Sequence, residues 1–118
     1  MRQSLLKKFC YAICGLKSAF LFERSIRIHL CCAMLVVIVG VIWQVKPIEW
    51  ALLFFAIGLV LVAELLNTAI ENTVDLLQEQ YHPLAKTAKD VAAGAVLVAA
   101  LTALIIGILV LGPYFFGR

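Results

Sequence analysis

The sequence predicts an all-α integral membrane protein, with an amphipathic helix on the membrane surface followed by three transmembrane helices. Three observations carry that expectation. The 118-residue chain is 64% hydrophobic and only 14% charged. Its mean hydropathy of +1.06 describes more apolar surface than one small soluble core can hide. Apolar runs cover Trp50 to Ala63 and Val91 to Gly112, and a third, Ile28 to Val45, is interrupted only by His29 and Gln44. Because the hydrocarbon layer takes roughly 20 apolar residues per helix, three spans fit, at about 27–45, 48–68 and 91–112, and a fourth does not. The whole chain, 1–118, reads as one membrane-embedded domain.

The first element, about residues 4–22, is not a span. On a helical wheel Leu5, Leu6, Phe9, Ile13, Leu16 and Phe20 share one arc, and Lys7, Lys8, Tyr11, Gly15 and Ser18 fall on the other side. Such a helix lies in the interface plane, either as an anchor alone or also lining a site. Glu23, Arg24 and Arg27 occupy the bend into the first span, where long basic side chains snorkel to the interface. On the far side a turn at Lys46 and Pro47 is flanked by Trp43 and Trp50, residues suited to an interfacial belt.

Charge orients the spans. Arg2, Lys7, Lys8, Lys17, Arg24 and Arg27 precede the first span, and Lys86 and Lys89 lie between the second and third, whereas Lys46 and Arg118 are the other basic residues. The positive-inside bias therefore puts the amino terminus and the second connection in the cytoplasm of a multi-pass plasma-membrane protein. No cleavable signal is expected, since Lys17 interrupts the early apolar stretch. The net charge of +3 suits anionic headgroups, and without a basic stripe interleaved with aromatics it does not suggest a nucleic-acid binder. Cys10 with Cys14, and Cys31 with Cys32, lack zinc or redox spacing and are expected to be small buried packing residues.

The second helix carries the chemistry. Its apolar run feeds into Glu64, Asn67, Glu71 and Asp75, offsets of three, seven and eleven residues that place all four within one narrow arc. Counted from Ile48, Glu64 sits just inside lipid depth, where an acid is a functional-site hypothesis by default. Stacked like charges repel, which makes sense if a cation or basic partner lies against them. Tyr81, His82 and Pro83 are expected to end this helix. Lys86, Lys89 and Asp90 then share a face at the start of the third, whose Ala92, Ala93, Gly94, Ala95, Ala99, Ala100 and Ala103 permit close helix approach in lipid. A purely structural alternative has Lys89 neutralise Glu64 or Glu71 to stitch two helices together.

Carboxylates and an amide at helical spacing match what magnesium takes from a protein, one or two carboxylates with water and phosphate oxygens completing the shell. A further carboxylate at lipid depth could serve as general base towards a membrane alcohol, and nearby lysines would hold phosphates as point charges. The set fits phosphoryl transfer. Gly15, Leu16, Lys17 and Ser18 lack the upstream glycine of a Walker A loop, and no kinase glycine loop occurs, so any nucleotide site is of another kind.

The run from Glu64 through Leu65, Leu66, Asn67, Thr68, Ala69 and Ile70 to Glu71, with Asp75 a turn later and then Tyr81, His82, Lys86, Ala88, Lys89 and Asp90, resembles the signature of the small prokaryotic diacylglycerol kinase family. The likeness covers nearly the whole chain. Glu23 with Arg24, Ile26, Arg27, Ile28 and His29, and the Tyr81 to Asp90 string with Pro83, resemble the Gram-positive branch, chiefly undecaprenol kinases. The resemblance implies an ATP- and magnesium-dependent kinase, a homotrimer whose active site is shared between subunits at the cytoplasmic surface. It implies Glu64 as catalytic base and Glu23 with Glu71 as metal-binding carboxylates. Asn67, Asp75, Lys89 and Asp90 match other active-site positions, Lys89 and Asp90 near the nucleotide, Tyr81 and His82 near the adenosine, and Tyr11 at a nucleotide-contacting position. Phe22 and Ala93 stand where the glycerolipid branch has polar residues, which weakens any transfer of diacylglycerol specificity to this chain. The expected reaction is phosphorylation of undecaprenol by ATP, with diacylglycerol as the alternative acceptor. A small proton-coupled exporter is the rival of a different class, since it would explain Glu64, and a non-catalytic membrane adaptor is a third.

Overall fold

A computed structural model describes residues 4–117; Arg2 and Arg118, counted in the charge asymmetry, lie outside the described residues. The described chain is helical, with α1 (Leu5–Phe22), α2 (Arg24–Ile42), α3 (Pro47–Leu77) and α4 (Pro83–Phe115) in order. The last three are long and apolar enough to cross a membrane.

Ser4 starts α1 by accepting a hydrogen bond from the Lys7 amide at 3.2 Å. The helix stops at Glu23, which turns extended while its own amide still donates to the Ala19 carbonyl. Arg27 holds this bend. Its guanidinium donates to the Phe20 and Leu21 carbonyls at 2.8 and 3.1 Å, satisfying acceptors that a helix end leaves orphaned and placing positive charge at the negative end of the dipole.

The turn between α2 and α3 comes earlier than expected. Here α2 ends at Ile42 rather than near residue 45, because the Val45 amide returns to the Gly40 carbonyl at 3.1 Å and the Gln44 amide to Val41 at 3.2 Å. This Schellman closure puts Gln44 in the left-handed region, at φ +52. Pro47 then occupies the first position of α3, where its missing donor costs nothing, and Glu49 accepts from the Lys46 amide at 2.9 Å.

Unbroken through Gly58, α3 runs for 31 residues, about 46 Å at the usual rise, against roughly 30 Å of hydrocarbon. It leaves helical geometry at Gln78, three residues before the expected Tyr81. The last helix begins at Pro83, with His82 as its N-cap, and continues past residue 112 through Pro113 to Phe115.

Packing centres on α3, which lies mainly against α4 and less extensively against α2, while α1 rests on α2. The buried stripe of α3 is Leu53, Ala56, Val60 and Glu64, successive turns of one face. Facing it, α4 buries Ala92, Ala99 and Val110, the close approach expected of its small residues. An apolar core of Val45, Leu53 and Val110, with Trp43, Trp50 and Tyr114 packed on it, closes the end opposite Glu64. Trp43 stacks on Tyr114 with centroids 6.1 Å apart, and the Tyr114 hydroxyl donates to Glu49. All four cysteines are exposed, not buried as expected, because α1 and α2 bury few residues, Ala19 on the first and Ile26 and Gly40 on the second.

Candidate active site

The buried stripe of α3 and its polar ladder are one feature. Extending the periodicity of Leu53, Ala56, Val60 and Glu64 by further turns reaches Asn67, Glu71 and Asp75. The apolar face that packs the helix thus delivers its carboxylates to the end where the chain turns back.

Glu64 is the buried charged residue of the described chain, 6% exposed. Burial of a carboxylate is costly unless its oxygens are satisfied. Both meet partners on α2: the Ser25 hydroxyl donates to Oε2 at 3.1 Å, and His29 Nε2 lies 3.3 Å from Oε1. Sequence reasoning assigned neither partner a role. A signal existed, since His29 is a polar interruption of an apolar run and Ser25 precedes it by four residues, one turn up the same face.

One turn beyond Glu64, the Asn67 amide donates to Glu71 Oε1 at 3.2 Å. The Asn67 Oδ1 is buried without a hydrogen-bond partner, an uncommon state for a polar atom. Further along, Lys89 Nζ on α4 meets Asp75 Oδ1 at 2.5 Å. That hydrogen bond, helped by the charges of Asp75 and Glu71 and opposed by partial desolvation, holds the Lys89 ammonium above the usual lysine range. Lys89 therefore bridges the two helices, but through Asp75 and not through Glu64 or Glu71. Lys86 pairs along α4 with Asp90 at 2.6 Å.

Where α3 gives way to α4, a cavity of about 340 Å³ opens, lined by Asp75, Tyr81, His82, Lys86 and Lys89 among others. It brings together two residues expected near an adenosine with two ammonium groups. The ring of His82 is already engaged, its Nδ1 accepting from the Leu84 amide at 3.1 Å as the cap of α4. Glu64, Asn67, Glu71 and Asp90 do not line this cavity. Tyr11 is exposed on α1, and Glu23 sits at the α1–α2 junction; neither lines it either.

Among the described residues no three His, Cys, Asp or Glu side chains gather closely enough to enclose a metal by themselves. The donor set nevertheless fits magnesium, which is held by one or two carboxylates and takes its other oxygens from water and phosphate. Glu71 offers such a carboxylate, with one oxygen fixed by Asn67 and the other outside that bond.

The model of the family described as prokaryotic diacylglycerol kinase matches residues 10–111. The chain is 46% identical over 107 residues to an undecaprenol kinase of Bacillus subtilis (strain 168), covering 91% of this chain and 87% of that one. A diacylglycerol kinase of Synechocystis is 45% identical over 105 residues, covering 88% of this chain but only 60% of the longer relative. A diacylglycerol kinase of Escherichia coli (strain K12) is 33% identical over 111 residues, covering 94% and 91%.

Proposed function

Because this chain belongs to the prokaryotic diacylglycerol kinase family, we propose that it is a lipid kinase that transfers the γ-phosphate of ATP to a membrane alcohol, undecaprenol in the first place. The observation that carries the reading is Glu64, a buried carboxylate held at both oxygens and followed on the same face by Asn67, Glu71 and Asp75. The relative at 46% identity is an undecaprenol kinase, which puts that acceptor ahead of diacylglycerol.

Glu64 takes the proton of the lipid hydroxyl as its oxygen bonds to the γ-phosphorus, the bond from that phosphorus to the β,γ-bridging oxygen breaks, and ADP leaves. A general base belongs within hydrogen-bond reach of the proton it removes, and a base at lipid depth reaches an alcohol anchored in the bilayer. Asn67 orients Glu71, and Asp75 orients Lys89. Lys89 and Lys86 present positive charge to phosphates, with Asp90 beside Lys86. Tyr81 and His82 face the adenosine across the cavity between α3 and α4, and Tyr11 approaches the nucleotide from the surface helix. Glu23 and Glu71 would hold magnesium, which when bound neutralises charge on the β- and γ-phosphates. Most of the rate enhancement comes from positioning and charge neutralisation, as is usual in phosphoryl transfer.

The reaction belongs to the cytoplasmic face of the plasma membrane, where ATP is available and where the basic residues orient the loop between α3 and α4. The surface helix α1 lies in the interface with its apolar arc in lipid. The family resemblance implies a homotrimer, and an assembly of several copies suits a chain whose three spanning helices alone hardly enclose both a nucleotide and a lipid.

The test is ATP consumption by the purified chain in detergent, with undecaprenol and diacylglycerol added in parallel. Consumption only with acceptor present, and faster with undecaprenol, is expected; the opposite preference would reassign the substrate. Glu64→Gln should lower turnover by at least about 100-fold, the scale of losing a general base, while nucleotide binding persists. Near-normal turnover would remove Glu64 from the mechanism.

A further inference from the structure

Two side chains outside the proposed machinery converge on its centre. Ser25 and His29 stand one turn apart on α2 and face α3 across the helix boundary. Each engages a different oxygen of the same carboxylate, Ser25 at Oε2 and His29 at Oε1. We infer that Ser25 and His29 are positioning residues that fix the plane of the Glu64 carboxylate against the lipid hydroxyl.

A glutamate on an isolated helix face turns about three side-chain bonds, and each rotamer aims its lone pairs elsewhere. One donor would leave the carboxylate free to swivel about that contact. A donor on one oxygen and an imidazole nitrogen 3.3 Å from the other restrict the swivel, and their four-residue spacing on a rigid helix matches the separation needed to reach both. Burial strengthens the effect, since with Glu64 6% exposed water offers little competition for either contact. Each oxygen retains a lone pair beyond the bond it accepts, so a fixed carboxylate can still receive a proton. The nearby lysines are engaged elsewhere, Lys89 with Asp75 and Lys86 with Asp90.

The alternative is that the same contacts merely fasten α2 to α3, whose packing is sparse. The two roles separate kinetically. A fastener lost would lower stability and the amount of active protein, and any donor or apolar replacement of equal bulk would serve about equally. A positioning donor lost lowers kcat for correctly folded enzyme and leaves ATP binding alone.

The inference rests on Glu64 as the base, so the series includes Glu64→Gln. On the full chain in detergent, with whichever of undecaprenol or diacylglycerol the unsubstituted protein phosphorylates faster, Ser25→Ala and His29→Leu should each lower kcat by roughly 10-fold or more, the scale of a hydrogen bond to a charged group. The KM for ATP should move by less than about threefold. His29→Gln and Ser25→Thr, which return a donor at a similar reach, should recover most of the lost rate at equal thermal midpoints. If His29→Gln is as slow as His29→Leu, or if the loss falls on the KM for ATP, positioning by donation is overturned. If Glu64→Gln is inactive while Ser25→Ala and His29→Leu turn over normally, only this inference fails. If Glu64→Gln is itself active, the base assignment fails with it.

Discussion

A carboxylate ladder is tolerable only if each acid has its own partner, and the side chains of α3 divide that task. Glu64 is satisfied from α2, Glu71 from Asn67 on its own helix, and Asp75 from Lys89 on α4. The division predicts separable phenotypes. Glu71→Ala should raise the magnesium concentration needed for half-maximal rate by about 10-fold or more, and an unchanged magnesium titration would argue against a ligand role. For Lys89 the linkage has a definite sign. Its folded-state pKa lies above the ordinary 10.5 because of Asp75, so the pair's contribution is complete below that value and is lost as pH rises through the higher folded-state pKa. Asp75→Asn should bring the Lys89 Nζ titration, followed by NMR, back down towards the ordinary range, and no downward movement would mean that Asp75 is not the cause.

At the scale of elements, helix length and helix approach matter more than composition. The excess of α3 over the membrane thickness lets one rigid rod carry both a buried apolar stripe and an aqueous acidic end, so the site inherits the rigidity of the core. That rod is seated at its other end by the close passage of α2, where a Cβ placed on Gly40 would lie 2.7 Å from Trp50 Cη2. Gly40→Val should therefore lose about 1–3 kcal/mol through overpacking, read as a lower midpoint in denaturation from detergent. An unchanged midpoint would show that Trp50 swings away freely. Within α3 itself Gly58 meets nothing and should accept alanine readily.

The whole molecule is notable for how little it hides. The candidate spans bury only 11–22% of their most apolar windows, so bilayer, further copies of the chain, or both must cover the rest. With α3 between them, α2 and α4 leave an apolar groove of about 640 Å³ from His29 to Phe116. Assembly into a trimer would supply neighbouring helices, and analytical ultracentrifugation in a density-matched detergent should give three chains per particle. A monomeric active particle would place the entire site within one chain.

Much of this protein was legible in its residues. Hydropathy alone picks out the three helices long and apolar enough to cross a membrane, because a bilayer rewards apolar length whatever the helices pack against. Periodicity alone aligns Glu64, Asn67, Glu71 and Asp75, because helix geometry is local. The ends were less legible: the Schellman closure at Gln44 and the early exit of α3 at Gln78 depend on backbone bonds that no single residue type announces. Partnerships were least legible of all. That Lys89 meets Asp75, that Arg27 closes α1, and that Ser25 and His29 hold Glu64 follow from how α1, α2 and α4 are placed around α3. Such contacts join residues up to 39 positions apart, and they exist only once packing has chosen which side chains face each other.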